Sequence, residues 1–254
     1  MGACETKYNK NVNNSFINKK IEQKNISLDN KISNNYINLK KNDDLSICKD
    51  FLINGCNIFP EVFDKEGDCT SGWRVGGKNG PPGYLKDYIP PKGWIGVGIK
   101  VKDLYDNGDN TWLGKSNTEG EWYIGYHGTK DINSIYEIIN NGFKRGKGQS
   151  YKDSKNINPL TYDTYNKCEE GVYFTPDINE AKRYADIINY DGRQFRVVFM
   201  CRINPYKVRI ANTFKNIEYW IVNGDTLDNL YSINKSDEVR PYRILVYIEG
   251  FNDD

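Results

Sequence analysis

The chain carries a single histidine, His127, in the run WYIGYHGTK, where β-branched and aromatic residues stop at a glycine and a threonine. An imidazole, the unobstructed backbone of Gly128 and the hydroxyl of Thr129 on one short turn are equipment for holding a polar ligand. A histidine at a strand end can also be satisfied by its own fold, so residues further along the chain decide how it is read. They are Tyr173 in GVYFTP, Tyr184 eleven residues later in DINEAKRYADII, and Glu218 in NIEYWIVN. The two tyrosines are ring faces that ordinary core packing could claim, and Glu218 is a carboxylate on a predicted strand. The six cysteines contain no C-x-x-C pair, and with one histidine there is no zinc spacing, so no metal is expected. Cys201 reads as core strand and Cys168 as loop.

These residues need elements to position them. The run ending at His127 reads as a strand, and KDINSIYEIINNGF after it reads as a helix: Ile132, Ile135, Ile138 and Ile139 recur at helical spacing and Asn141-Gly142 is a stop. The segment from Gly142 towards Glu170 is rich in Gly, Lys, Ser and Asn and reads as a long loop over the pocket. GVYFTP is a short strand closed by Pro176, and DINEAKRYADII is a helix with Asp177 and Glu180 in its first turn. FRVVFMCRI, EYWIVN and YRILVYIE are further strands. Strands outnumber helices, which gives an α+β fold around a split, mostly antiparallel sheet.

A net charge of +1 gives no sign of a nucleic-acid surface. No run approaches the ~20 apolar residues of a membrane-spanning helix, and the N-terminus lacks a signal-peptide core. The thiols are therefore read as reduced and the chain as cytoplasmic. MGACETK instead fits the M-G-x-x-x-[ST] pattern for myristoylation at Gly2, with Cys4 placed for palmitoylation; together the two chains would anchor the protein to the cytoplasmic face of a membrane. Residues 1–47 read as a disordered tether. Residues 48–115, which include GWRVGGKNGPPGYLKDYIPPKGW, read as a Gly/Pro/aromatic accessory region, and 116–254 as the domain that carries the site.

YHGTK, then GVYFTPDINEAKRY, then EYWIV resembles the ADP-ribosyltransferase fold of the poly(ADP-ribose) polymerase and diphtheria-toxin branch, with its His, Tyr and Glu on three strands. The resemblance covers roughly Trp122 to the C-terminus. The strand in GWIGVGIKV could be included, whereas the GWRVGG region is an attachment. The resemblance implies NAD as substrate: His127 on a ribose hydroxyl, Gly128 holding the nicotinamide carboxamide, Thr129 on the same ribose, and Tyr173 and Tyr184 sandwiching the ring. Ala181 stands where the polymerases have a serine, which favours the toxin-like branch over polymer synthesis.

Breaking the nicotinamide–ribose bond builds oxocarbenium-like charge, and Glu218 is the candidate carboxylate. If the strand is registered one residue later, Tyr219 takes that position and Glu218 faces the other way. The implied activity is transfer of one ADP-ribose to a protein acceptor with release of nicotinamide. Transfer to water, making an NAD glycohydrolase, and a catalytically silent NAD or ADP-ribose binding module acting at a membrane stay open as alternatives.

Overall fold

The computed structural model describes residues 43–81, 85–116, 118–143, 171–212, 218–222 and 237–250. Gly2, Cys4, Cys168 and the 144–170 loop expectation lie outside the described residues. A compact unit runs from 45 onward.

Helix α1 (43–50) passes into a π-helical turn, Phe51–Gly55. Leu45, Cys48, Phe51 and Leu52 recur on one face, and the last three are fully buried. Phe51 stacks on Phe195 with ring centroids 4.2 Å apart. Helical structure therefore starts ahead of residue 48, because these apolar side chains have a sheet to pack on.

The strands are β1 (Lys78–Asn79), β2 (Lys86–Asp87), β3 (Ile95–Gly98), β4 (Tyr123–Gly128), β5 (Val172–Phe174), β6 (Ile188–Tyr190), β7 (Arg193–Ile203), β8 (Val208–Asn212), β9 (Glu218–Val222) and β10 (Val239–Ile248). The helices that follow α1 are α2 (Ile132–Asn141) and α3 (Ile178–Arg183). The central sheet has the order β3-β10-β7-β4, with β6 paired to the start of β7; a second sheet has the order β5-β9-β8, and β1 and β2 form a ribbon. Every strand pair described is antiparallel. The two larger sheets meet where Tyr126 and Thr175 exchange backbone bonds of 2.8 and 3.0 Å. The protein is thus α+β with antiparallel sheets.

Strand β7 explains why its sequence reads as an unbroken apolar run. Phe195, Val197, Phe199, Cys201 and Ile203 enter one core, while Val198 and Met200 enter another on the opposite face with Tyr126, Ala181, Ala185 and Leu245. A strand covered on both faces loses the alternation of a half-exposed one. Strand β3 belongs to this sheet through β10, pairing Val97 with Ile244 and Gly98 with Arg243. Its outer edge is covered by residues 62–69, with bonds from Asp64 N to Gly98 O (2.9 Å) and from Cys69 N to Gly96 O (2.8 Å). The 48–115 segment therefore supplies a sheet strand as well as a covering layer.

Helix α2 begins at Asp131, whose carboxylate accepts from the Ser134 amide at 2.7 Å, and stops at Gly142 with φ +75°. Helix α3 is shorter than the pattern DINEAKRYADII suggests. Asp186 N bonds Thr129 O at 3.1 Å and Ile188 pairs with Phe195, so the chain leaves the helix to join the sheet.

Candidate functional site

Strand β4 is an edge strand, and its outward backbone groups alternate. At Ile124 the edge is closed by Asn79, whose side chain accepts from Ile124 N and donates to Ile124 O, both at 2.8 Å. At Tyr126 it is closed by Thr175. The residues between point the other way, towards β7, as Thr129 N does in bonding Val197 O at 3.1 Å. The two-residue period then turns the amide and carbonyl of Gly128 out of the open edge, and neither has a backbone partner among the described residues. Gly128 therefore offers one donor and one acceptor side by side at the strand end.

The absent side chain of Gly128 has a separate cause. A Cβ there would lie 2.9 Å from Ala185 N and from Tyr184 C, and closer still to the Ala181 carbonyl oxygen. Glycine is required because the end of α3 rests on the strand; the expected close approach of a ligand is not what fills that space. The same contact brings Tyr184, the C-cap residue of α3, beside Gly128.

His127 faces the opposite side of β4. Its ring meets Phe143 edge-on at 5.0 Å and Phe174 at 5.5 Å. Nδ1 lies 2.8 Å from the carbonyl oxygen of Tyr173. A carbonyl only accepts, so Nδ1 carries the hydrogen and Nε2 keeps a lone pair for a ligand hydroxyl. Burial among these rings pushes the imidazole below its ordinary value, and the Tyr173 carbonyl offsets part of that fall. The ring is consequently neutral near pH 7, and Nε2 is an acceptor.

Tyr173 and Tyr184 come together. Both are half-buried and pack against Ile221, which pairs with Tyr173 across β5 and β9. Thr129 turns away: it is 2 % exposed and its hydroxyl donates to Val197 O at 2.9 Å, so it fastens β4 to β7 and offers nothing to a ribose. The side chain of Glu218 lies outside the described residues, but its backbone register is set. Glu218 pairs with Asn212 and Tyr219 with Ala211. Position 219 shares the strand phase of Ile221, whereas 218 shares that of Trp220 and Val222, both fully buried.

Asn79, Phe143 and Ile221 shape the site without having stood out in the sequence. Ile221 sits two residues from Tyr219 in the alternation of EYWIV, which is a usable signal; Asn79 bonds across 45 residues and leaves none.

Among the described residues, no group of three His, Cys, Asp or Glu side chains is placed to hold a metal ion, and no helix is long and apolar enough to cross a membrane. Burial pushes the Cys56 thiol up to about 12 and holds that of Cys201 well above its ordinary value, which suits neither to nucleophilic work. No protein-family model matches the chain, and no curated protein matches it.

Proposed function

We propose that the chain binds NAD at the end of β4 and transfers its ADP-ribose to a protein acceptor, one unit per site, with release of nicotinamide. The reading rests on one coincidence: the open donor–acceptor pair of Gly128 stands beside Tyr184, while the acceptor nitrogen of His127 and the ring of Tyr173 belong to the same strand junction. A carboxamide carries a C=O and an NH2 in one plane and can bond both backbone groups at once. Two tyrosines seated on Ile221 offer faces for an aromatic ring, and Nε2 of His127 suits a ribose hydroxyl. These features agree with the resemblance to the His-Tyr-Glu ADP-ribosyltransferases.

In the reaction, the glycosidic bond to nicotinamide breaks with its electron pair leaving on the nicotinamide nitrogen. An acceptor nucleophile bonds the same ribose carbon and gives up a proton. A carboxylate near that carbon would stabilise the intervening charge, and Glu218 is the candidate. The phase of β9 favours a second reading, a module that binds NAD and does not turn it over, since position 219 rather than 218 runs in step with Ile221. Acylation at Gly2 and Cys4 would hold either activity at the cytoplasmic face of a membrane.

The test measures nicotinamide release and transfer of label from NAD by the purified chain, beside Glu218→Gln and His127→Ala. Label on protein that disappears in both variants supports transfer. Nicotinamide without labelled protein means water is the acceptor. Binding without either product selects the silent module.

A further inference from the structure

On the α3 side of the central sheet, away from His127, a row of side chains crosses β4, β7 and β10: Tyr126 pairs with Met200, and Met200 with Arg243. The segment carrying Trp73, Arg74 and Tyr88 lies over this row. Arg243 stacks over the rings of Trp73 (5.2 Å) and Tyr242 (5.4 Å), and Arg74 over Tyr88 (5.3 Å). The hydroxyls of Tyr126 and Tyr88 are 3.4 Å apart. Burial raises the Tyr242 hydroxyl above its ordinary value, and the charges of Arg202, Arg243 and Arg74 offset part of that rise.

Positive charge outweighs negative here, with the Glu121 carboxylate acting on Arg202 alone. Among the described residues, neither Arg74 nor Arg243 forms an ion pair, although Arg183, Arg193, Arg196 and Arg240 each do. Arg243 donates through Nε to Gly67 O at 2.8 Å, and its Nη1 reaches only the thioether of Met200 at 3.9 Å. Arg202 donates to the carbonyls of Trp122 and Leu113, at 2.7 and 2.8 Å, and among the described residues forms no ion pair, the Glu121 carboxylate acting on it only from a distance.

The backbone makes room for both arginine side chains. Gly76 and Gly77 stand at φ +79° and +85°, and a Cβ on Gly77 would overlap Nη2 of Arg74. A Cβ on Gly96 would lie 2.6 Å from Cδ of Arg243 and 2.7 Å from the Trp73 ring. Two half-buried arginines that stand against aromatic faces and form no ion pair among the described residues are a receptor for negative charge.

We propose that Arg74 and Arg243, with the hydroxyl of Tyr88, form a binding site for a phosphate group, distinct from the site at the end of β4. A tetrahedral dianion can accept from two guanidinium groups at once, and the Trp73 ring suits a phosphomonoester that carries an aromatic ring.

Isothermal calorimetry with inorganic phosphate, at ionic strength held constant with chloride, tests this directly. Phenyl phosphate in a parallel titration distinguishes a free anion from an aromatic phosphomonoester. Saturable binding, weakened at least tenfold in Arg74→Gln, is expected, with tighter binding of phenyl phosphate if the monoester is the natural ligand. Arg74→Gln is informative because Arg74 makes no hydrogen bond within the described fold, so the variant keeps its structure; Arg243→Gln also loses the Gly67 contact and serves as a second measure. Unsaturable heat, or equal affinity in wild type and Arg74→Gln, overturns the site. His127→Ala is expected to bind phosphate as wild type does, which keeps this test separate from that of the NAD reading; loss of phosphate binding there would overturn the claim of a distinct site.

Discussion

Replacing Gly128 by alanine separates two roles that the sequence lets coincide at that residue. The new methyl would stand 2.9 Å from two backbone atoms of residues 184 and 185 and closer to the Ala181 carbonyl, where ordinary contact starts at 3.4 Å. Backbone on both sides cannot rotate away, so α3 must retreat by at least about half an ångström. Overpacking of this kind costs about 3 kcal/mol, and the lower entropy of the unfolded alanine chain returns somewhat under 1 kcal/mol. A net loss of about 2 kcal/mol lowers Tm by roughly 4–8 °C in a domain of this size. Thermal unfolding followed by circular dichroism reads the shift. Because Tyr184 ends α3, the same retreat moves its ring off Ile221, so ligand affinity falls with stability. A Gly128→Ala protein with unchanged or raised Tm would refute the packing argument, since alanine in an unobstructed strand stabilises.

Two further outcomes follow from the same geometry. Asn79→Ala strips the Ile124 amide and carbonyl of their partners in a site where Asn79 is 5 % exposed; a loss of about 2–4 kcal/mol is expected in urea unfolding, with faster hydrogen exchange at Ile124, and a change under 0.5 kcal/mol would contradict it. His127 titrates below the ordinary histidine value of about 6.5, so the unfolded chain takes up its proton first: this contribution to stability is complete above about pH 6.5 and is lost as pH falls below it. As the chain has one histidine, its ring proton resonance reports the titration without assignment, and a midpoint at or above 6.5 would show that the ring is not desolvated.

The parts of the fold written locally were readable from the residues. Helix α2 has isoleucines at helical spacing, an aspartate that caps it and an Asn-Gly stop, all within a dozen residues. Strand β7 announces itself by composition. What the sequence hides is decided by partners far along the chain. Thr129 looks like a ligand group until Val197, 68 residues away, is found to take its hydroxyl. Gly128 looks like a glycine left bare for a ligand, yet α3 occupies the space of its missing side chain and only its backbone edge stays open. The pairing of β3 with β10 joins segments more than a hundred residues apart, so GWIGVGIKV gave no hint of which sheet it entered. The register of β9, on which the choice between Glu218 and Tyr219 turns, is set by pairing with β5 and β8 and is not written locally in EYWIV.

Calorimetric titration of NAD into the purified chain, beside His127→Ala and Tyr184→Ala, tests the central claim most directly. The account predicts saturable one-site binding to wild type. His127→Ala should weaken it by about tenfold through loss of the Nε2 acceptor, and Tyr184→Ala by a similar factor through loss of a stacking face. Absence of NAD binding by the wild type, or affinity unchanged in both variants, would contradict it.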